Sequence, residues 1–182
     1  MSASGVIVIL GPVLILATLS CSGWTRHRTH RLRAAFGPEY DRVALARESV
    51  HAAECELVRR IRRHRGLPLR PIGPRAQNSY VLSWRKLRVR FADDPVSAVQ
   101  SAERLVGSVA TSRGYPADSN GEQLALLSVG HPGALAGYRE ARSTGERGLT
   151  GAATTEELRE ALSQYHVLFA ELLVTPAPAR LR

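Results

Sequence analysis

Apolar and polar positions follow two distinct patterns along the chain. Residues 5–24, GVIVILGPVLILATLSCSGW, are apolar on every helical face, and no charged side chain precedes Arg26. About 20 residues of helix cover roughly 30 Å, the thickness of a bilayer core, so this stretch predicts a transmembrane helix. Gly11-Pro12 is expected to kink it, which membrane spans tolerate. Two alternatives stay open for the same stretch. A cleaved secretory signal would need a positive leader that Met1–Ser4 lacks, and a lipoprotein would use Cys21.

After residue 36 the pattern becomes helical and amphipathic. Pro38 is placed to open a helix that runs to Gly66, with Val43, Ala46, Val50, Ala53, Leu57 and Ile61 on one face. That face suits an intramolecular core or a short coiled coil. GLPLRPIGPR (66–75) cannot continue a helix. A second helix is predicted over about 75–91, with Tyr80, Trp84, Leu87 and Phe91 forming a core stripe. Asp94-Pro95 reads as N-cap and first helical residue of a third, which buries Val96, Val99, Ala102, Val106 and Val109 and stops at Arg113-Gly114.

Shorter helices are expected over 118–130, with Leu124 and Leu127 inward, and over 133–146. A loop follows at 146–154. Thr154-x-x-Glu157 is a capping box for the last helix, whose stripe is Leu158, Leu162, Tyr165, Phe169 and Leu172. No alternating strand pattern occurs. The fold class predicted is all-α: a single N-terminal transmembrane helix followed by a five- to six-helix soluble bundle. The segments are 1–4 outside the cytoplasm, 5–24 spanning, 25–36 basic and juxtamembrane, 37–174 a helical cytoplasmic domain, and 175–182 a disordered tail.

Charge adds a direction to this picture. The 182 residues carry a net charge of +9, and Lys86 is the lone lysine. Residues 1–90 hold 17 basic and 5 acidic groups, whereas residues 91–182 hold 8 and 11. Arg26, Arg28, Arg31 and Arg33 follow the apolar stretch and nothing positive precedes it, which orients the C-terminal part to the cytoplasm. Trp24 and these four arginines are the candidate membrane-surface contacts, each guanidinium worth about 1 kcal/mol beside anionic headgroups. His27 and His30 add charge at lower pH. A second basic run, Arg59, Arg60, Arg62, Arg63 and Arg65, is a candidate contact for an anionic partner.

Motifs for chemistry are sparse. Two cysteines, Cys21 and Cys55, make no disulfide framework and suit a reducing compartment. His51 and Cys55 share a helix face at ligand spacing, but no second pair completes a metal site. His166 borders the last apolar stripe, and His131 precedes Pro132. Neither lies in a catalytic motif, and GLTGAAT lacks the lysine of a phosphate loop. No cofactor, metal or catalytic residue is expected, and the chain reads as a non-enzyme.

The segments LRAAFGPEYDR (32–42), RFADDPVSAVQSAERLV (90–106), RGYP (113–116) and TTEELREALSQYHVLFAELL (154–173) resemble a group of actinobacterial membrane-anchored helical proteins with no assigned activity. The likeness spans the part after the apolar stretch. It implies the same topology and supplies no catalytic residues. The expectation is a single-pass cell-membrane protein whose cytoplasmic helices form a protein-interaction or assembly module. Its partners would be the lipid bilayer and another protein or a second copy. The alternatives are a membrane-tethered nucleic-acid binder acting through its arginine clusters, and a secreted protein or lipoprotein.

Overall fold

The computed structural model describes residues 27–117 and 120–174. They form eight helices: α1 (27–36), α2 (Pro38–Leu45), α3 (Val50–Arg65), α4 (Pro74–Arg90), α5 (Pro95–Arg113), α6 (Asn120–Gly130), α7 (Pro132–Leu149) and α8 (Thr155–Val174). The all-α class stands, with no strand among the described residues. The rest of the expected architecture is corrected. Eight helices among the described residues stand where five or six were expected beyond the span, and none of them is long and apolar enough to cross a membrane. The expected transmembrane helix at 5–24 and the tail at 175–182 lie outside the described residues.

The extra helices come from two breaks. Gly37 adopts φ 51°, a left-handed conformation in which a Cβ is strained, and Pro38 opens α2 behind it. The helix expected from Pro38 to Gly66 also divides, because Ser49 caps a new start: its Oγ accepts the Ala52 N–H at 3.1 Å. The break turns Ala46 and Val50 outward, so the single apolar face proposed for this stretch does not form.

The chain divides into two compact units, residues 1–57 and 58–182. In the first, Leu32, Phe36, Tyr40, Val43, Ala53 and Leu57 are buried. The Glu54 carboxylate is buried among them. It accepts hydrogen bonds from Thr29 Oγ1 at 2.5 Å and Tyr40 OH at 3.5 Å, and pairs with Arg28 at 3.3 Å. Burial first, then the charge of Glu54, pushes the Tyr40 hydroxyl pKa up.

The second unit is organised around α8. That helix packs chiefly on α7 and α5, while α4 lies on α5 and α6 on α7. The stripe read from sequence, Leu158, Leu162, Tyr165, Phe169 and Leu172, is buried throughout. Its start is the predicted capping box: Thr154 N–H donates to Glu157 Oε2 at 2.7 Å, and Glu157 N–H donates to Thr154 Oγ1 at 3.2 Å. Asp94 caps α5 as expected, accepting the Ser97 N–H at 3.0 Å. At the other end of α5, Gly114 takes φ 104°, and a Cβ there would stand 2.7 Å from the Pro68 carbonyl oxygen. Only glycine fits that chain reversal.

Candidate functional site

The arginines singled out in the sequence have divergent surroundings. Trp24 and Arg26 lie outside the described residues. Arg28 is drawn to Glu54, although its Nε–H is not aimed along a hydrogen bond. Arg31 is exposed. Arg33 lies over the Tyr40 ring, 5.0 Å from its centre, and 3.9 Å from Asp41. Two of the candidate lip residues thus make contacts within their own unit.

The second run, on α3, divides similarly. Arg63 pairs with Glu122, and Arg60 Nη1 reaches Ser128 Oγ at 3.5 Å. Arg59 is exposed along the same helix. Arg62 and Arg65 are exposed and meet no acidic side chain among the described residues. The structure therefore presents part of the run to solvent and spends part of it on α6.

A cleft between α4 and α8 gathers residues that spacing alone did not unite. Its cavity is about 240 Å³ and is lined by Trp84, Arg88, Arg159, Leu162, Ser163 and His166. On α4, Trp84 and Arg88 are four apart. On α8, positions 159, 162, 163 and 166 share one face. Trp84 forms the floor, stacked on Phe169 with ring centres 4.7 Å apart and tilted against His166 at 5.0 Å. Arg159 stands over the Phe91 ring at 5.7 Å and pairs with Glu156. Arg88 is exposed at the rim with no acidic partner among the described residues. A separate, more open depression is lined by Arg85, Arg88 and Val89, so Arg88 borders both.

The outer face of α4 is unusual in its own right. Leu82 is 55% exposed and Val89 74%, one heptad apart, with Arg85 and Lys86 between them. The helix contains no acidic residue. The same helix buries Trp84 inward and carries Tyr80 and Leu87 partly buried against the core, which bears out the aromatic stripe as packing.

Two histidine pairs lie elsewhere in the second unit. His131, 4% exposed, places Nδ1 2.8 Å from Glu171 Oε2, tying the start of α7 to α8. His64 Nε2 lies 3.2 Å from Tyr115 OH. Burial first, then the proximity of His131, holds the His64 pKa below its ordinary value, and burial pushes the Tyr115 hydroxyl up to about 12. These contacts join α3, the residues after α5, α7 and α8 as polar struts. His51 Nε2 and Cys55 Sγ are 3.5 Å apart on an exposed face. Among the described residues, no group of three or more His, Cys, Asp or Glu side chains is placed to hold a metal ion.

Sequence reasoning placed Trp84 in the core and His166 at a stripe border, and missed that they meet. The available signal was the pair of arginines at Arg88 and Arg159, each on the flank of an aromatic stripe. In comparisons with known proteins, the chain matches no family model, no curated protein and no solved structure.

Proposed function

We propose that this chain is a non-catalytic, helical protein-interaction module that works through the basic outer faces of α3 and α4. The observation that carries the reading is α4 itself. It exposes Leu82 and Val89 beside Arg85, Lys86 and Arg88, cationic groups with no intramolecular acid among the described residues. Contiguous exposed apolar patches rimmed by polar residues mark association surfaces, and arginine is enriched in such surfaces. Arg62 and Arg65 on α3 extend the same chemistry. The membrane face as the place of work is a proposal resting on residues 5–33 of the sequence.

A photo-crosslinking side chain installed at Val89 in living cells tests this. The expected product is a discrete protein adduct, to another protein or a second copy, that disappears with Arg85→Glu and Arg88→Glu together. Adducts confined to nucleic acid, or only to lipid, would overturn the reading. A nucleic-acid adduct would favour the phosphate-binding alternative, whose affinity falls steeply with salt.

A further inference from the structure

Resting on that interaction reading, we propose that the α4–α8 cleft is a peptide-docking site. It takes an acidic segment of a partner protein that seats one aromatic or large aliphatic side chain on Trp84, Leu162 and His166. The flanking carboxylates of that segment lie against Arg85, Arg88 and Arg159.

Size argues for a side chain over a free metabolite. Small-molecule sites usually enclose about 300–1,000 Å³, and this cavity is about 240 Å³. Arg88 also lines a second, more open depression with Arg85 and Val89. Composition points the same way. Tryptophan and arginine dominate the energetics of protein interfaces, where one anchor fills a pocket and polar contacts ring it. Here an indole floor is held rigid by Phe169 and His166, so little order has to be imposed on binding.

Charge selects the partner. Arg85, Lys86 and Arg88 lie on α4, which has no acidic residue of its own, and Arg159, itself paired with Glu156, faces them from α8. A basic or neutral segment gains nothing from these groups, whereas carboxylates flanking an anchor meet guanidinium on two sides. Ser163 sits on the exposed rim, where a hydroxyl can serve a backbone amide.

The test uses the full-length chain in a non-ionic detergent, with Trp24→Phe so that Trp84 is the sole indole. The probes are two capped peptides, EDEFEDE and EDEAEDE. The expected result is a saturable change in Trp84 emission with the first peptide. Affinity for the second is lower by at least about ten-fold, which is about 1.4 kcal/mol. Arg88→Glu lowers affinity for the first by a similar factor. Ser163→Phe, which fills the cleft from its rim without altering charge or adding a second indole, abolishes the aromatic preference while circular dichroism shows the helices intact.

Equal binding of both peptides would show diffuse charge attraction, and would sink the cleft while leaving the interaction reading standing. No saturable change up to about 1 mM would also sink it, as would a Ser163→Phe variant that binds like the parent. Self-association that EDEFEDE displaces would overturn the assignment to a foreign partner and name a second copy. A Val89 probe that captures no protein removes the interaction reading itself, whatever the peptides do.

Discussion

Tyr165 carries a hydroxyl into the centre of the second unit, where it is 0% exposed and its ring meets Tyr138 edge-on at 5.1 Å. No described group accepts or donates a hydrogen bond to that oxygen. Burial first, and the charge of Glu103 second, drives its pKa far above the ordinary tyrosine value, so it stays neutral. An unsatisfied buried hydroxyl costs about 1–3 kcal/mol relative to an apolar atom in the same place. Tyr165→Phe is therefore expected to leave stability unchanged or raise it by about 1 kcal/mol, read as the shift in the urea midpoint. A clear loss would mean that the hydroxyl has a partner. His64 makes the opposite kind of case. Its folded pKa lies below 6.5, because burial disfavours the imidazolium. The unfolded chain takes up that proton first. The stability this group contributes is thus complete above about pH 6.5 and is lost as pH falls through 6.5 toward the lower folded value. The difference in unfolding midpoint between the parent and His64→Gln should change over pH 7.5 to 5.5 (about one unit either side of the ordinary histidine pKa), with the parent losing more. A constant difference across that range would show that His64 titrates normally in the fold.

At the scale of the element, Gly114 ends α5 where nothing else fits. An alanine there would hold φ near 104° against its own Cβ, and that Cβ would press on the Pro68 carbonyl. The left-handed conformation alone costs about 1–2 kcal/mol for a non-glycine residue, so Gly114→Ala should destabilise by at least that much. A midpoint equal to the parent's would mean that the connector at 66–73 moves aside without cost. Such local signals were legible in the sequence because their chemistry is short-range. Asp94-Pro95, Thr154-x-x-Glu157 and Gly114 each satisfy backbone groups a few residues away, and each is found where it was expected. The break after Leu45 was missed because Val43, Ala46, Val50 and Ala53 keep helical spacing across it. Only the Ser49 cap betrays the restart. Loop length was also misjudged: α7 runs to Leu149, three residues past its predicted end. The α4–α8 cleft was out of reach for a different reason. Trp84 and His166 are far apart in sequence, and which of two amphipathic flanks stays open depends on how α4 and α8 both dock on α5. Periodicity does not encode that.

At the scale of the whole molecule, the division after Leu57 has a thermodynamic consequence. Residues 27–57 bury their own apolar set around Phe36, Tyr40 and Leu57 and satisfy the Glu54 carboxylate internally. The larger cluster, from Trp84 to Leu172, lies within the second unit. Arg113 is buried in that unit and donates to the Leu172 carbonyl at 3.1 Å, which ties the ends of α5 and α8. Units with separate cores open separately, each with its own free energy. Hydrogen exchange followed by mass spectrometry on the full chain should then find the slowest amides in α5 and α8. Phe36 is 1% exposed, and removing a buried phenyl ring costs about 3–5 kcal/mol. Phe36→Ala should therefore accelerate exchange across 27–57 by two orders of magnitude or more, on the order of 10² to 10³. The slowest amides of α8 should keep their parental rates. If they accelerate in parallel, the two units share one cooperative unfolding event. A cleft whose shape depends on α4 and α8 would then respond to changes in the first unit such as Phe36→Ala. If they do not, mutations in the first unit can be used to probe residues 27–57 while the Trp84 cleft is held constant.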